Sequence, residues 1–302
     1  MQQSNRPLGL FHSEADLELA RENREREPIR SALTRLERPA ADPLAEACQS
    51  ALRGQLFDDP EAGCRAAAAL NQTGLELTDD MAGVKRALAW LSVAAMLRSH
   101  PAWDASWPDV IAAGLDRFSE TGEPLRGLWL GALTMAAGIL LESDEAIQRG
   151  ATVYRIGVDE LIHPEGYLKG IADVDEATGR YEAQVSGSCA LVLLAEMAVL
   201  IGLDLWSYDN RAVSVNTAVT YTHFYYFFPE KWRWEADLTR ERTAAVMRRE
   251  GAFMELVNRR GPPAGIEHFL AEQRPLFCPH GGGLTTLTHG LAPAKKRRWR
   301  FW

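Results

Sequence analysis

The run GRYEAQVSGSCALVLLAEMAVLIGLDLW, residues 179–206, decides how the rest of the chain is read. Its long apolar stretch opens on Gly179 and an Arg-bearing turn, has small residues on one face, and closes in Gly202-Leu203-Asp204-Leu205-Trp206, which frames a helix over residues 179–200. Upstream, residues 154–162 read as the end of another helix, and His163-Pro164-Glu165-Gly166 turns the chain between the two. Farther out, residues 66–70, 84–97 and 129–141 return apolar side chains every three or four positions. Short segments carrying Pro or Gly, at 58–60, 99–101 and 120–124, separate them. Helix, short loop, helix, with few β-branched alternating stretches, predicts an all-α array in which consecutive helices pack antiparallel as hairpins.

The composition is that of an ordinary globular protein, 46% hydrophobic and 25% charged over 302 residues, and no shift in it marks a second domain. One α-helical domain over 1–302 is expected, with residues 1–45 a charged N-terminal helical segment and 291–302 a basic tail. Within the first segment, residues 20–27 place opposite charges at helical spacing and suggest an exposed helix. Ser13, with Asp16 three residues on, supplies its N-cap. Polar or charged residues interrupt the longest apolar runs before the roughly 20 residues that a bilayer crossing needs, so no membrane span is expected. The N-terminus lacks the apolar segment of a secretory signal, as in an intracellular protein or one whose leader has been removed.

Cys48, Cys64, Cys189 and Cys278 lie far apart with no CxxC pair and read as buried thiols rather than as a disulfide framework or zinc site. A net charge of -8 argues against a nucleic-acid surface, so any polyanion must be met by local basic residues. Residues 295–300 are the one strongly basic run, read as a solvated terminus or a polyanion-binding arm. Three consecutive glycines keep residues 278–290 from being helical throughout. Their role is to let the backbone approach a ligand or a neighbouring helix. His280 and His289 flank this loop without a nearby acidic cluster, a weak metal signal, and no metal or cofactor is expected.

The order of elements between residues 154 and 206, from helix end through turn and Arg-bearing helix entry to the terminal GLDLW, resembles the alginate lyase superfamily. The resemblance covers roughly residues 120–235. It implies an (α/α) toroid, complete or incomplete, and an enzyme that cleaves uronate polysaccharides by β-elimination. In that family an Asn-His pair on one helix neutralises the substrate carboxylate, and Arg and Tyr on a later helix assist and move the proton. Carried over, the helix-entry arginine is Arg180. The family tyrosine falls at Ser186, with Tyr181 the nearest replacement, and the Asn-His element ahead of Trp129 is represented by Leu125-Arg126. Arg126 and Arg180 are therefore the expected carboxylate partners.

On a helix Arg180 and Gln184 share one face, which suits a sugar, although Arg180 could equally pair with Asp175 or Glu176 while Ser186, Gly187 and Ser188 permit close packing. In residues 221–234 nine of fourteen side chains are aromatic or His. Phe224, Phe227 and Phe228 read as core. Tyr225, Tyr226, Trp232 and Trp234 carry polar edges and read, with Trp129, as faces for pyranose rings. Arg233 is a carboxylate partner or a cation–π stack. His223 is the histidine best placed to act as a base, and His163 reads as a turn residue.

The expected activity is thus a polysaccharide lyase on an alginate- or glucuronan-like polymer. Arg180, Arg126, Tyr181 and His223 carry the chemistry, and Trp129, Gln184, Tyr225, Tyr226, Trp232, Arg233 and Trp234 hold the chain. The alternatives are a toroid that binds an acidic glycan without cutting it, and a glycoside hydrolase using Asp173, Asp175 and Glu176.

Overall fold

A computed structural model of the chain describes residues 7–40, 42–75, 78, 80–115, 123–174 and 179–291. Its α-helices are α1 (Glu14–Glu22), α2 (Ile29–Leu36), α3 (Pro43–Phe57), α4 (Pro60–Thr73), α5 (Met81–Leu97), α6 (Trp107–Leu115), α7 (Pro124–Leu141), α8 (Asp144–Ile156), α9 (Arg180–Leu200), α10 (Val215–Phe227), α11 (Arg240–Glu250), α12 (Met254–Arg260), α13 (Ile266–Gln273) and α14 (Thr285–His289). Extended pairing among the described residues is confined to isolated bridges such as Ile162 with Leu168 and Cys278 with Gly283. The fold is all-α, as the periodicity predicts.

The helix starts follow from local chemistry. Asp42, Asp59 and Asp80 each accept a hydrogen bond from the backbone N–H three residues on, and Pro43 and Pro60 occupy first-turn positions where no N–H is needed. Asp58 and Glu142 end α3 and α7 in the left-handed region, at φ of 53° and 56°, so each chain reverses within two residues. The results are the hairpins α3–α4 and α7–α8. Glycine makes the second one close: a Cβ on Gly150 would lie 2.9 Å from the Gly131 carbonyl oxygen and 2.6 Å from Met135 Cβ.

Helix α9 runs through the middle, with its residues 187–198 buried on every face. α7, α8, α10, α11 and α12 pack around it. Helices α7 and α9 are long and apolar enough to cross a bilayer, and both are largely buried inside the protein, the environment of core helices.

Two expectations need correction. The charged run at 20–27 is not one exposed helix: α1 ends at Glu22, and α2 begins only after Pro28. Both helices bury an apolar face, Leu17 and Ala20 on the first and Ile29, Ala32 and Leu36 on the second, and both pack against α14. The Ser13 cap is present, with its backbone N–H donating to Asp16 at 2.8 Å. Cys64 is exposed, whereas Cys48, Cys189 and Cys278 are buried thiols. The basic tail and residues 175–178 lie outside the described residues.

Candidate active-site cleft

Helices α7 and α9 meet where Trp129 Nε1 donates to Ser186 Oγ at 2.9 Å. Above this contact opens a cavity of about 460 Å³ lined by, among others, Lys85, Leu125, Glu182, Ser186, Arg249 and Glu250. Lys85, from α5, lays its ammonium over the Trp129 ring at 4.8 Å, a cation–π contact that places the charge at the wall.

One carboxylate organises the floor. Glu250, the last residue of α11, accepts from Lys85 Nζ at 3.1 Å and from Arg249 Nε at 3.2 Å, and His280 Nε2 lies 2.8 Å from the same oxygen that Lys85 reaches. Burial alone would raise the Glu250 carboxyl, but His280 and Lys85 outweigh it and hold it well below the usual carboxylate range. Burial would likewise lower the His280 imidazole. Cys278, whose Sγ lies 3.3 Å away, and Glu250 overcome that and push it up to about 9. Lys85 and Glu250 keep only 15% and 10% of their side chains accessible, so their pairing is poorly screened. Cations therefore outnumber the anion they share at this end of the cleft.

The predicted residues are distributed differently from the expectation. Arg180 donates from Nη1 to the Trp234 carbonyl at 2.5 Å, while Arg126 is buried and acts electrostatically on Asp80, the cap of α5. Among the described residues, the two guanidinia are thus seen engaged with different elements. Tyr181 is wholly buried, donates its hydroxyl to the Thr222 carbonyl at 3.3 Å, and has its phenol pushed well above the ordinary range by burial. It is sealed from any cleft. Gln184 is buried as well and fastens the preceding turn, accepting from Leu168 N at 2.8 Å and donating to the Gly166 carbonyl at 3.1 Å. His223 is packed against the edges of Phe227 and Phe269, where burial lowers its pKa.

Tyr226 and Trp232 are core residues too. Tyr226 bonds Glu272 and Gln273, each at 2.7 Å, and Trp232 donates to Glu235 at 3.1 Å. Trp129 is buried but touches the cleft through its partners Ser186 and Lys85. The remaining three come together elsewhere. Tyr225 lines a second cavity of about 630 Å³ with Glu165, Thr217, Tyr221 and Phe224. Trp234 donates to the Tyr221 hydroxyl at 3.2 Å, and Arg233 lies over Tyr167 and Trp234 while pairing with Glu165 at 2.7 Å. His163 stacks on Tyr167 at 4.3 Å between ring centroids. Arg242 links the two regions, since it donates to Glu182 on the cleft and to Glu235 beside Trp234.

Lys85, Arg249 and Glu250 had no place in the sequence expectation, and His280 had only a weak one. The adjacent cations Lys85 and Arg86 near the start of the apolar run at 84–97 are the one signal there, and nothing in the sequence says which of the two faces a cleft. His289 serves a different network from His280: it is fully buried, and its carbonyl accepts from Arg259. Because Tyr181 only braces the core, Tyr181→Phe is expected to cost about 1 kcal/mol of stability. It should change the turnover of any cleft reaction by less than about threefold. Denaturant melts and initial rates on the purified variant check both.

No protein-family model matches the chain, and no curated protein matches it. Solved structures do. A tyrosine-to-phenylalanine variant of alginate lyase A1-III complexed with tetrasaccharide superposes at a TM-score of 0.66 and 17% identity, covering 84% of this chain and 76% of that one. Alginate lyase A1-III from Sphingomonas species A1 superposes at 0.66 and 18% identity, over 83% and 76%. The apo form of a histidine-to-alanine variant reaches 0.65 at 18%, over 90% and 79%. This chain therefore has the (α/α) toroid fold of these lyases.

Proposed function

We propose that the protein is a polysaccharide lyase that cleaves a uronate-containing polymer, alginate- or glucuronan-like, by β-elimination in the Lys85–Glu250 cleft. The observation that carries this reading is the pair of cations, Lys85 and Arg249, converging on the single buried carboxylate of Glu250 inside a lyase-type toroid. An ammonium has three donors and a guanidinium five, so both retain capacity for a second carboxylate after serving Glu250. A sugar carboxylate seated there has its charge neutralised, and its C5 proton becomes easier to remove. The base takes that proton, the C5 electrons form the C4–C5 double bond, the C4–O bond breaks, and the leaving oxygen takes a proton from solvent water, whose hydroxide the protonated base then neutralises. On this reading the proton acceptor is one of two exposed carboxylates that line the cleft, Glu123 or Asp173. The aromatic cavity at Tyr221, Tyr225 and Trp234 offers ring faces to further sugar units.

Incubation with polymannuronate, polyguluronate and polyglucuronate, followed at the ultraviolet band of a 4,5-unsaturated uronate, is the test. A steady rise on one of them is expected, and a flat trace on all three rejects the lyase.

A second reading is favoured by the residue types: among the described residues, no tyrosine or histidine lines the cleft. On that reading the toroid binds an acidic glycan without cutting it. Saturable calorimetric binding of a polyuronate, with no product formed, selects it over the first.

A further inference from the structure

Beneath the cleft, Glu250, Cys278 and His280 bring one carboxylate oxygen, one sulfur and one imidazole nitrogen within 4.8 Å of one another. We propose that these three residues form a binding site for a single divalent transition-metal ion of the zinc type.

The donor set is the first argument. Zinc takes N, S and O ligands of these kinds, and a site with three protein ligands keeps a fourth position for water or substrate. Sulfur and imidazole together select such an ion over magnesium or calcium, which take oxygen. A carboxylate and a thiolate supply two negative charges, so the ion is neutralised even though Lys85 stands nearby.

The second argument is how rigidly the donors are held. Cys278 and His280 flank Pro279 in one tight loop, closed by Cys278 N donating to the Gly283 carbonyl at 3.1 Å and Gly283 N donating to the Cys278 carbonyl at 2.8 Å. Gly282 and Gly283 sit at φ of 103° and 79°, which L side chains rarely adopt, so these two glycines serve this closure. The third donor is held from outside, because Lys85 and Arg249 both bond Glu250 and so fix its orientation, as outer partners of a metal ligand do. Spacing along the chain could not reveal the set, since Glu250 lies on a different helix from the Cys-Pro-His loop.

The test is a cobalt(II) titration of the full chain without polysaccharide, which keeps its outcome separate from that of the lyase reading. One equivalent should bind, with an intense thiolate-to-cobalt charge-transfer band and the visible absorption of a four-coordinate ion. Cys278→Ser should abolish the charge-transfer band, His280→Ala should weaken binding at least tenfold, and Cys64→Ser, at the exposed thiol, should change neither. X-ray absorption of the zinc-loaded wild type, which depends on no variant folding, should show one sulfur at about 2.3 Å among lighter ligands. Absence of saturable binding, a shell without sulfur, or a charge-transfer band that survives Cys278→Ser would each overturn the proposal.

Discussion

Replacing Lys85 with methionine is expected to lower kcat/KM for unsaturated-product formation on a polyuronate by about 100- to 1000-fold. That is the range for removing one preorganised group aimed at charge that develops in a transition state. Methionine keeps an unbranched stem against the Trp129 ring, so the wall of the cleft is preserved while the charge is lost. Glu250 retains Arg249 and His280 as partners, so its burial stays compensated and the fold should survive. Lys85→Arg keeps a cation and should recover part of the rate. Initial rates across substrate concentration separate the effects: a fall confined to kcat places Lys85 on the reacting sugar, and a rise confined to KM places it on a neighbouring one. Full activity in Lys85→Met would remove the chemistry from this cleft.

The largest stability effect is expected at Glu255, on α12. Its carboxylate is wholly buried and accepts from Arg274 Nε and Nη2, both at 2.7 Å, and from Thr286 Oγ1 at 2.8 Å. This forked pairing ties α12 to the two ends of the segment that carries Cys278 and His280. Glu255→Ala leaves a largely enclosed guanidinium, 21% accessible, without its carboxylate and with only the Gly290 carbonyl as acceptor, and is expected to cost about 3 kcal/mol or more. At the per-residue entropy of unfolding typical of globular proteins, that lowers Tm by about 5–8 °C. Glu255→Met combined with Arg274→Met should recover part of the loss, because the buried charge disappears with its partner. Denaturant unfolding of the single and double variants, fitted with a shared m-value, decides it. Equal stability of Glu255→Ala and wild type would mean that the pair contributes nothing net.

The sequence carried the fold well because the helix signals are local. Gly179 and Gly202 bracket α9, Asp42-Pro43 and Asp59-Pro60 start α3 and α4, and residues 163–166 turn the chain as read. The segment-level resemblance also brought the right helices together, since Trp129 on α7 and Ser186 on α9 do meet. Individual roles were less legible. Helix α9 is buried through most of its length, so no apolar stripe distinguishes the side that faces a cleft from the side that faces α10. Tyr181 and Gln184, both expected at the cleft, are enclosed by Trp232 and by residues 166–168. The cations that do line the cleft come from α5 and α11, far apart in the chain, and only packing joins them.

The most direct measurement is mass spectrometry of the products formed from a polyuronate in heavy-oxygen water. Elimination adds no water across the cleaved bond, so the fragments should carry a dehydrated terminal uronate and no isotopic oxygen. Fragments that gain one labelled oxygen each would show hydrolysis, and an intact polymer would show no cleavage at all. Either result contradicts an eliminating cleft built on Lys85, Arg249 and Glu250.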